Sequence, residues 1–398
     1  MTGVFPVDRG GTPEGVRWLS LGAAIASISA VGVAIGLGVP LLSVILEQRG
    51  HSATAIGFNT AVAGLASIAV APLAIPIATR LGVAFTMLIA IALGASCFAG
   101  FYFTHDYWVW IVLRALMHVG ITLLFILSEF WISASAPPQR RGLVLGIYAT
   151  VLSLGFAFGP WLFARIGSEG FAPFGAGVAI TVLAALPVIA AWRESPDISS
   201  HSEGGGNGRR FSHYILLVPT ATAAVLVFGA VETGGFALFP VYGARLGYTE
   251  ADSALLLTAI GLGNVVLQVP LGMVSDRVRD RRMILAGCAF VGLAGMLALP
   301  WLTASWHATA AVLFVWGGVV AGLYTIGLAH LGSRLSGRDL ASANAAFVFC
   351  YGFGMIVGPQ VIGAGMDLVG THGFAWSLAI FFAAYLVLAF GRMLRRAY

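Results

Sequence analysis

Gly155-Phe-Ala-Phe-Gly159-Pro160 and Gly354-Met-Ile-Val-Gly358-Pro359 are two copies of one pattern, GxxxGP, standing 199 residues apart in a chain of 398. Each lies in an apolar run, roughly 142–165 and 340–364, long enough to cross a bilayer, which takes about 20 residues. Glycines four apart let a second helix approach closely. The proline removes a backbone hydrogen bond and can bend the helix. A bend at the junction of two repeats suits a rocking motion, and tight packing explains the glycines equally well. Other positions recur in the same order near the same offset: Pro40 with Pro240, Pro72 with Pro270, Arg140 with Arg338, and Gly50-His51-Ser52 with Gly247-Tyr248-Thr249. A run of ordered matches over the whole length predicts a duplicated unit.

Working outward, the apolar runs number twelve: roughly 18–46, 54–78, 83–104, 108–134, 142–165, 171–192, 215–243, 253–274, 283–302, 308–332, 340–364 and 373–392, each near the length of a spanning helix. Composition agrees: 59% of residues are hydrophobic and 9% charged, against about 25% charged in soluble domains. Disordered chains are polar and charge-rich, and barrels read as short alternating strands, so both are excluded. The first apolar run is too long for a signal peptide's hydrophobic region and begins after a polar stretch with Asp8, Arg9, Glu14 and Arg17. The longest polar stretch, Arg193 to His213, reads as a flexible linker. The expected architecture is an all-α membrane protein of twelve transmembrane helices in two pseudo-symmetric six-helix bundles, 1–193 and 214–398, joined by a linker at 194–213. Six spans per unit make the repeats parallel.

All 21 basic residues are Arg. With the N-terminus placed inside, seventeen fall on the inner side; Arg49, Arg165 and Arg245 fall outside, and Arg114 lies within a span. Such a bias orients both termini to the cytoplasm. It accounts for the net charge of +5 without a nucleic-acid partner. Cys97, Cys288 and Cys350 lie in apolar runs, away from any metal or disulfide spacing.

The loop between spans 8 and 9, Gly272-Met-Val-Ser-Asp276-Arg277-Val-Arg279-Asp280-Arg281-Arg282, resembles the G-x-x-x-D-R-x-G-R-R loop of the major facilitator superfamily. Its counterpart after span 2 keeps Arg80-Leu81-Gly82 without the acid. Arg114 followed by Gly120 in span 4 is similar to the family's span-4 arginine motif, and span 5 resembles its antiporter motif as far as Pro160. Among subgroups, the chain looks closest to bacterial twelve-span carriers near the drug/proton antiporters, with a weaker likeness to bacterial riboflavin carriers. The resemblance implies that spans 1, 4, 7 and 10 line a central cavity. It also implies that Asp276, with Arg277 and Arg281, latches the halves by facing a helix N-terminus, near Gly142 by pseudo-symmetry. Gly155, Gly159, Pro160, Gly354, Gly358 and Pro359 are the matching gating candidates.

Ionisable groups inside a membrane are costly, roughly 2.5–3.5 kcal/mol at a helix centre, and are functional-site candidates by default. Here these are Arg114, Glu129 and Glu232, with His118 beside them. Arg114 and His118 share a helix face that continues through Thr122 and Phe125. Glu129 is ~22 Å along the same axis from Arg114, too far to pair. Arg114 and Glu232 fall at comparable depths. Glu232 is therefore the expected proton- or substrate-binding carboxylate, with Arg114 as its partner and His118 as a possible relay. Phe228 and Phe236 flank Glu232 at four-residue spacing, and Tyr324 stands on span 10. A carboxylate framed by rings suits a planar, amphipathic or cationic solute.

The expected function is secondary active transport of a small organic solute across the bacterial inner membrane, coupled to protons. Drug or metabolite efflux is favoured, and uptake of a vitamin such as riboflavin is the alternative. An intramembrane enzyme lacks its signatures: there is no HExxH, GxSxG or GxxxxGK[ST]. A non-transporting sensor or scaffold is the remote alternative. The expected partners are the solute, protons and the bilayer, with no cofactor or metal, and the chain is read as a monomer.

Overall fold

The computed structural model describes residues 18–136, 141–196, 215–278, 280–333, 335 and 337–394. Among them, twelve helices are long and apolar enough to cross a membrane. Spans 1 to 6 run Trp18–Gln48, Ala53–Leu81, Val83–Phe103, Tyr107–Ser135, Arg141–Ile166 and Ala172–Ala190. Spans 7 to 12 run Pro219–Arg245, Glu250–Arg277, Arg281–Leu302, Trp306–Gly332, Gly337–Val369 and Gly373–Leu394. At the start of the expected linker, Trp192–Glu194 forms a single 3-10 turn that ends on its first residue, and 197–214 lies outside the described residues.

Local chemistry sets the helix ends. Gly50, Gly82, Gly247 and Gly370 take positive φ between consecutive spans, a conformation that side chains resist. Ser52 and Asp106 accept hydrogen bonds from the first-turn N–H groups of spans 2 and 4, and Thr249 with Asp252 forms a capping box on span 8. Large apolar side chains such as Leu65, Phe103, Trp108, Phe290 and Val387 are exposed around the bundle. A bilayer is the solvent that accepts them, since each helix satisfies its own backbone. The chain is thus a multi-pass membrane protein. The end of the bundle away from both termini is called the distal face below.

The two GxxxGP stripes define how each half is built. A Cβ placed on Gly155 would stand 3.0 Å from Gly32 Cα and from the Ser29 carbonyl oxygen of span 1, and one on Gly159 would overlap Gly36. In the other half, a Cβ on Gly354 would overlap the Leu226 carbonyl of span 7, and one on Gly358 would overlap Ala230. The glycines therefore seat span 5 on span 1 and span 11 on span 7, inside each half. The glycines thus face inward within each half, while other residues of the same two motifs lie at the expected junction of the repeats. Other faces of the same helices make that junction: Gly261 of span 8 packs against Ala157, and Gly57 of span 2 lies under the Pro359 carbonyl. Spans 5 and 11 are thus each fastened to a core helix on one side and to the opposite half on the other.

Candidate functional site

Span 7 brings Phe228, Glu232 and Phe236 onto one face, as the helical repeat requires. That face borders a ring-lined cavity. Phe239, Trp316 and Phe374 add rings to its wall, Phe156 reaches it from the other half, and Asn264 supplies a second polar group beside Glu232. Phe156 meets Phe236 edge-on, with ring centroids 6.1 Å apart. The wall is otherwise apolar, so the carboxylate is the main handle for a charged or hydrogen-bonding solute.

Glu232 is not paired with Arg114. Its Oε2 accepts a 2.6 Å hydrogen bond from the Tyr351 hydroxyl of span 11. Tyr351 is held in a cluster of rings: Phe228 stacks on it at 6.3 Å, and Tyr324 stands edge-on at 6.0 Å. Tyr324 also meets Phe228 at 5.7 Å. The structure thus gathers Glu232, Phe228, Phe236 and Tyr324 and adds Tyr351, which the sequence reading passed over. A usable signal was present. Tyr351, Gly354 and Gly358 fall at i, i+3 and i+7, so the stripe that seats span 11 on span 7 carries a tyrosine at its inner end. Attention to spans 1, 4, 7 and 10 concealed it.

The span-4 candidates form no part of this cavity. Arg114 is 1% exposed, and its Nε, Nη1 and Nη2 have no hydrogen-bond partner among the described residues. His118 is buried, and its Nδ1 donates to the Arg114 carbonyl at 3.1 Å, one turn back along its own helix. Phe125 packs into the core of the first half. Glu129, toward the end of span 4 away from the distal face, has solvent access but also places its charge near Tyr148 of span 5 and Tyr324 of span 10, a member of the Glu232 ring cluster. Comparable depth placed Arg114 and Glu232 together in the sequence reading. The fold separates them because depth does not specify which way a helix faces.

The loop expected to act as a latch makes its described contacts within one half. Asp276 is exposed and forms an ion pair with Arg281 of its own half, at 3.2 Å, while Arg277 is exposed beside it. Arg281 also donates to the Ala329 carbonyl of span 10 at 2.9 Å. The helix start near Gly142 assigned to Asp276 falls where residues 137–140, and the side chain of Arg141, are outside the described residues. In the same loop, Asp280 accepts from the Arg282 backbone N–H and guanidinium, both at 3.0 Å. Burial pushes the Asp280 carboxyl up, but these hydrogen bonds outweigh it and hold the group below the usual carboxylate range. Among the described residues, no group of three or more His, Cys, Asp or Glu could hold a metal ion.

Comparison with known proteins agrees with this architecture. The family profile described as Major Facilitator Superfamily matches residues 20–263 and 245–397. An uncharacterised MFS-type transporter of Bacillus subtilis (strain 168), YfkF, is 27% identical over 339 residues, covering 83% of this chain and 85% of its own. The uncharacterised MFS-type transporter YcaD of Escherichia coli O139:H28 is 22% identical over 269 residues, 67% of each chain. The crystal structure of the nucleoside transporter NupG superposes with a TM-score of 0.75 at 15% identity, over 96% of this chain and 100% of that one. A bacterial homologue of the human lysosomal transporter Spinster, inward-facing and occupied, gives 0.71 at 13% identity, over 96% of each.

Proposed function

This chain belongs to the major facilitator superfamily, and we propose that it moves a small, planar, amphipathic organic solute in a cycle coupled to protons at Glu232. Family membership makes it a secondary carrier. The observation that supports the finer reading is Glu232 in a ring-lined cavity, with Tyr351 as its hydrogen-bond donor. An ionised carboxylate in apolar surroundings is costly unless something compensates it. Tyr351 supplies part of that compensation; a proton or a cationic or N–H-bearing solute supplies the rest. Proton and solute then compete for one group, which is the minimum needed to couple them. The rings offer stacking and cation–π contact to a flat or cationic solute. The excess of arginines on the side of the termini supports a cytoplasmic placement of both ends. Efflux is the favoured direction, with uptake of a flavin-like vitamin as the second reading, since the same rings suit a flat heterocycle.

The test is reconstitution into liposomes loaded with a pH-sensitive dye. Lipophilic cations, flavins and nucleosides are presented in turn, the last after the similar solved transporter. One class should drive proton movement, and Glu232→Gln should lose it while remaining folded by size exclusion. Undiminished concentrative transport by Glu232→Gln would remove Glu232 from the mechanism.

A further inference from the structure

Acids at both ends of the bundle are answered within the protein. At the distal face, Arg245 of span 7 pairs with Glu47 of span 1 at 3.1 Å and with Asp367 of span 11 at 3.5 Å. Asp367 also accepts from the backbone N–H groups of Ala53 and Thr54 at the start of span 2. Glu250 at the start of span 8 accepts from Gln48 and Ser168 of the other half. At the opposite face, Asp276 and Asp280 pair with Arg281 and Arg282. Two acids deeper in the spans differ. Glu232 is met by the neutral Tyr351, and none of the ion pairs among the described residues involves Glu232 or Glu129.

Helix positions set these two acids on a ladder, counted from the face of the termini. Glu129 stands six residues from the end of span 4, Tyr148 seven from the start of span 5 and Tyr324 eight from the end of span 10. Phe228 is nine residues and Glu232 thirteen from the start of span 7, and Tyr351 is fourteen from the start of span 11. The two carboxylates are therefore separated by roughly 10 Å of depth at 1.5 Å per residue, with Phe228 and Tyr324 at the levels between. Contacts close the ladder. Tyr324 meets Phe228 at 5.7 Å and Tyr351 at 6.0 Å, and Tyr351 donates to Glu232. The charges of Glu129 and Glu232 both act on Tyr324, one from each half. Glu129 also acts on Tyr148, whose hydroxyl lies 3.0 Å from that of Ser128 on span 4. Ser128 and Tyr148 are buried while Glu129 keeps solvent access, so it stands at the approach to the ring cluster from the face of the termini.

We propose that Glu129 is the first half's charged contact for the solute, and that the solute is a flat dication: one basic group is held by Glu232, the other by Glu129, and the aromatic body lies against Phe228 and Tyr324. This assignment rests on Glu232 as the solute-binding carboxylate. The order acid, rings, acid is the complement of cation, aromatic body, cation. Ionised carboxylates in ring-lined surroundings are costly unless paired. One dication answers both, whereas a monocation leaves one of them to a proton or to water. The rings add stacking and cation–π contact along the body. Because Glu129 belongs to the first half and Glu232 to the second, a dication also holds both halves through one molecule, which a monocation on Glu232 does not.

The test reads binding rather than transport. The purified full-length chain in lipid nanodiscs is titrated by calorimetry with diminazene, a flat bis-amidine, and with ethidium, a flat monocation; empty nanodiscs are the blank. The parent should bind diminazene. Glu129→Gln should weaken diminazene about tenfold or more and ethidium by less than about threefold. Glu129→Asp keeps the charge and should hold diminazene within about threefold of the parent. Glu169→Gln, which removes an exposed acid at the distal face, should change neither probe. Glu232→Gln should weaken both; if it weakens neither, the reading of Glu232 falls together with that of Glu129. A Glu129→Gln chain that holds diminazene within about twofold of the parent, or that loses both probes alike, overturns the dication site alone. So does a parent that binds ethidium and not diminazene, a result that needs no variant to fold.

Discussion

The two halves share a backbone plan and differ in chemistry. In each, a GxxxGP stripe lays the fifth helix of the unit along the first, with glycines where any side chain would meet backbone. Yet Tyr351 of the second half corresponds to Leu152 of the first at the motif's offset. The stretch of span 1 that corresponds to Glu232, Val31-Gly32-Val33, has no ionisable group. The first half carries its buried charge elsewhere, at Arg114, and leaves it without a hydrogen-bond partner. Duplication preserved the contacts on which close packing depends, because a changed glycine there leaves no room. Side chains facing the cavity were under no such restriction, and the second half built the Glu232–Tyr351 pair on them.

The largest effect should come from the shared feature. Gly159→Leu and Gly358→Leu each drive a branched side chain into an occupied seam, and overpacking of this kind costs about 1–3 kcal/mol, occasionally more. The local overlap places both at or above the upper end. Each should lose most of its monodisperse protein in fluorescence-detected size exclusion, and by similar amounts. If one half tolerates the change and the other does not, the seams are mechanically unequal and the comparison must be redrawn.

This equality bears on what the sequence could reveal. Span number, midpoint duplication and the close-packing glycines were all legible, because each is a regular pattern in one dimension. The partner helix of the glycines was not, since GxxxG says only that some helix comes close. Glu232 and its flanking rings were legible from helical spacing on a single span. Tyr351 and the separation of Arg114 from Glu232 were not, because both depend on how different helices are rotated against each other. Arg245, Glu47, Asp367 and Glu250 are scattered single charges near span ends in the sequence. Their joining at one face is a property of the assembled halves.

Arg114 provides the second and smaller contrast. A buried guanidinium without hydrogen-bond partners is a net cost to the conformation described, and replacing a buried charge by an apolar residue of similar volume is often neutral or stabilising, by about 1–4 kcal/mol in favourable cases. Arg114→Leu should therefore keep or raise the thermal midpoint, and a loss of transport alongside it would give the charge a use at another point of the cycle. Arg114→Lys should keep the charge and part of the transport. A fall of several degrees in Arg114→Leu would mean that the guanidinium is a structural partner in the ground state, and the first half would then hold a satisfied polar site like the second.

The smallest effect concerns the two faces rather than the two halves. At the distal face the carboxylate of Asp367 touches a helix start of the opposite half, whereas Asp276 at the other face is 76% exposed and paired with Arg281 five residues on. An exposed pair of this kind is worth about 0–1 kcal/mol. Asp276→Asn should therefore leave the thermal midpoint within a degree or two and leave the set of transported solutes unchanged. Its effect on conformational exchange, read by single-molecule fluorescence energy transfer between dyes at Glu169→Cys and Leu368→Cys, separates two cases. If Asp276 serves only its own loop, exchange rates stay within about twofold of the parent. A slowing of tenfold or more, about 1.4 kcal/mol of barrier, would mean that Asp276 finds a helix start across the junction when the distal face opens. The two faces would then be alternate forms of one device, each acid capping the opposite half in turn.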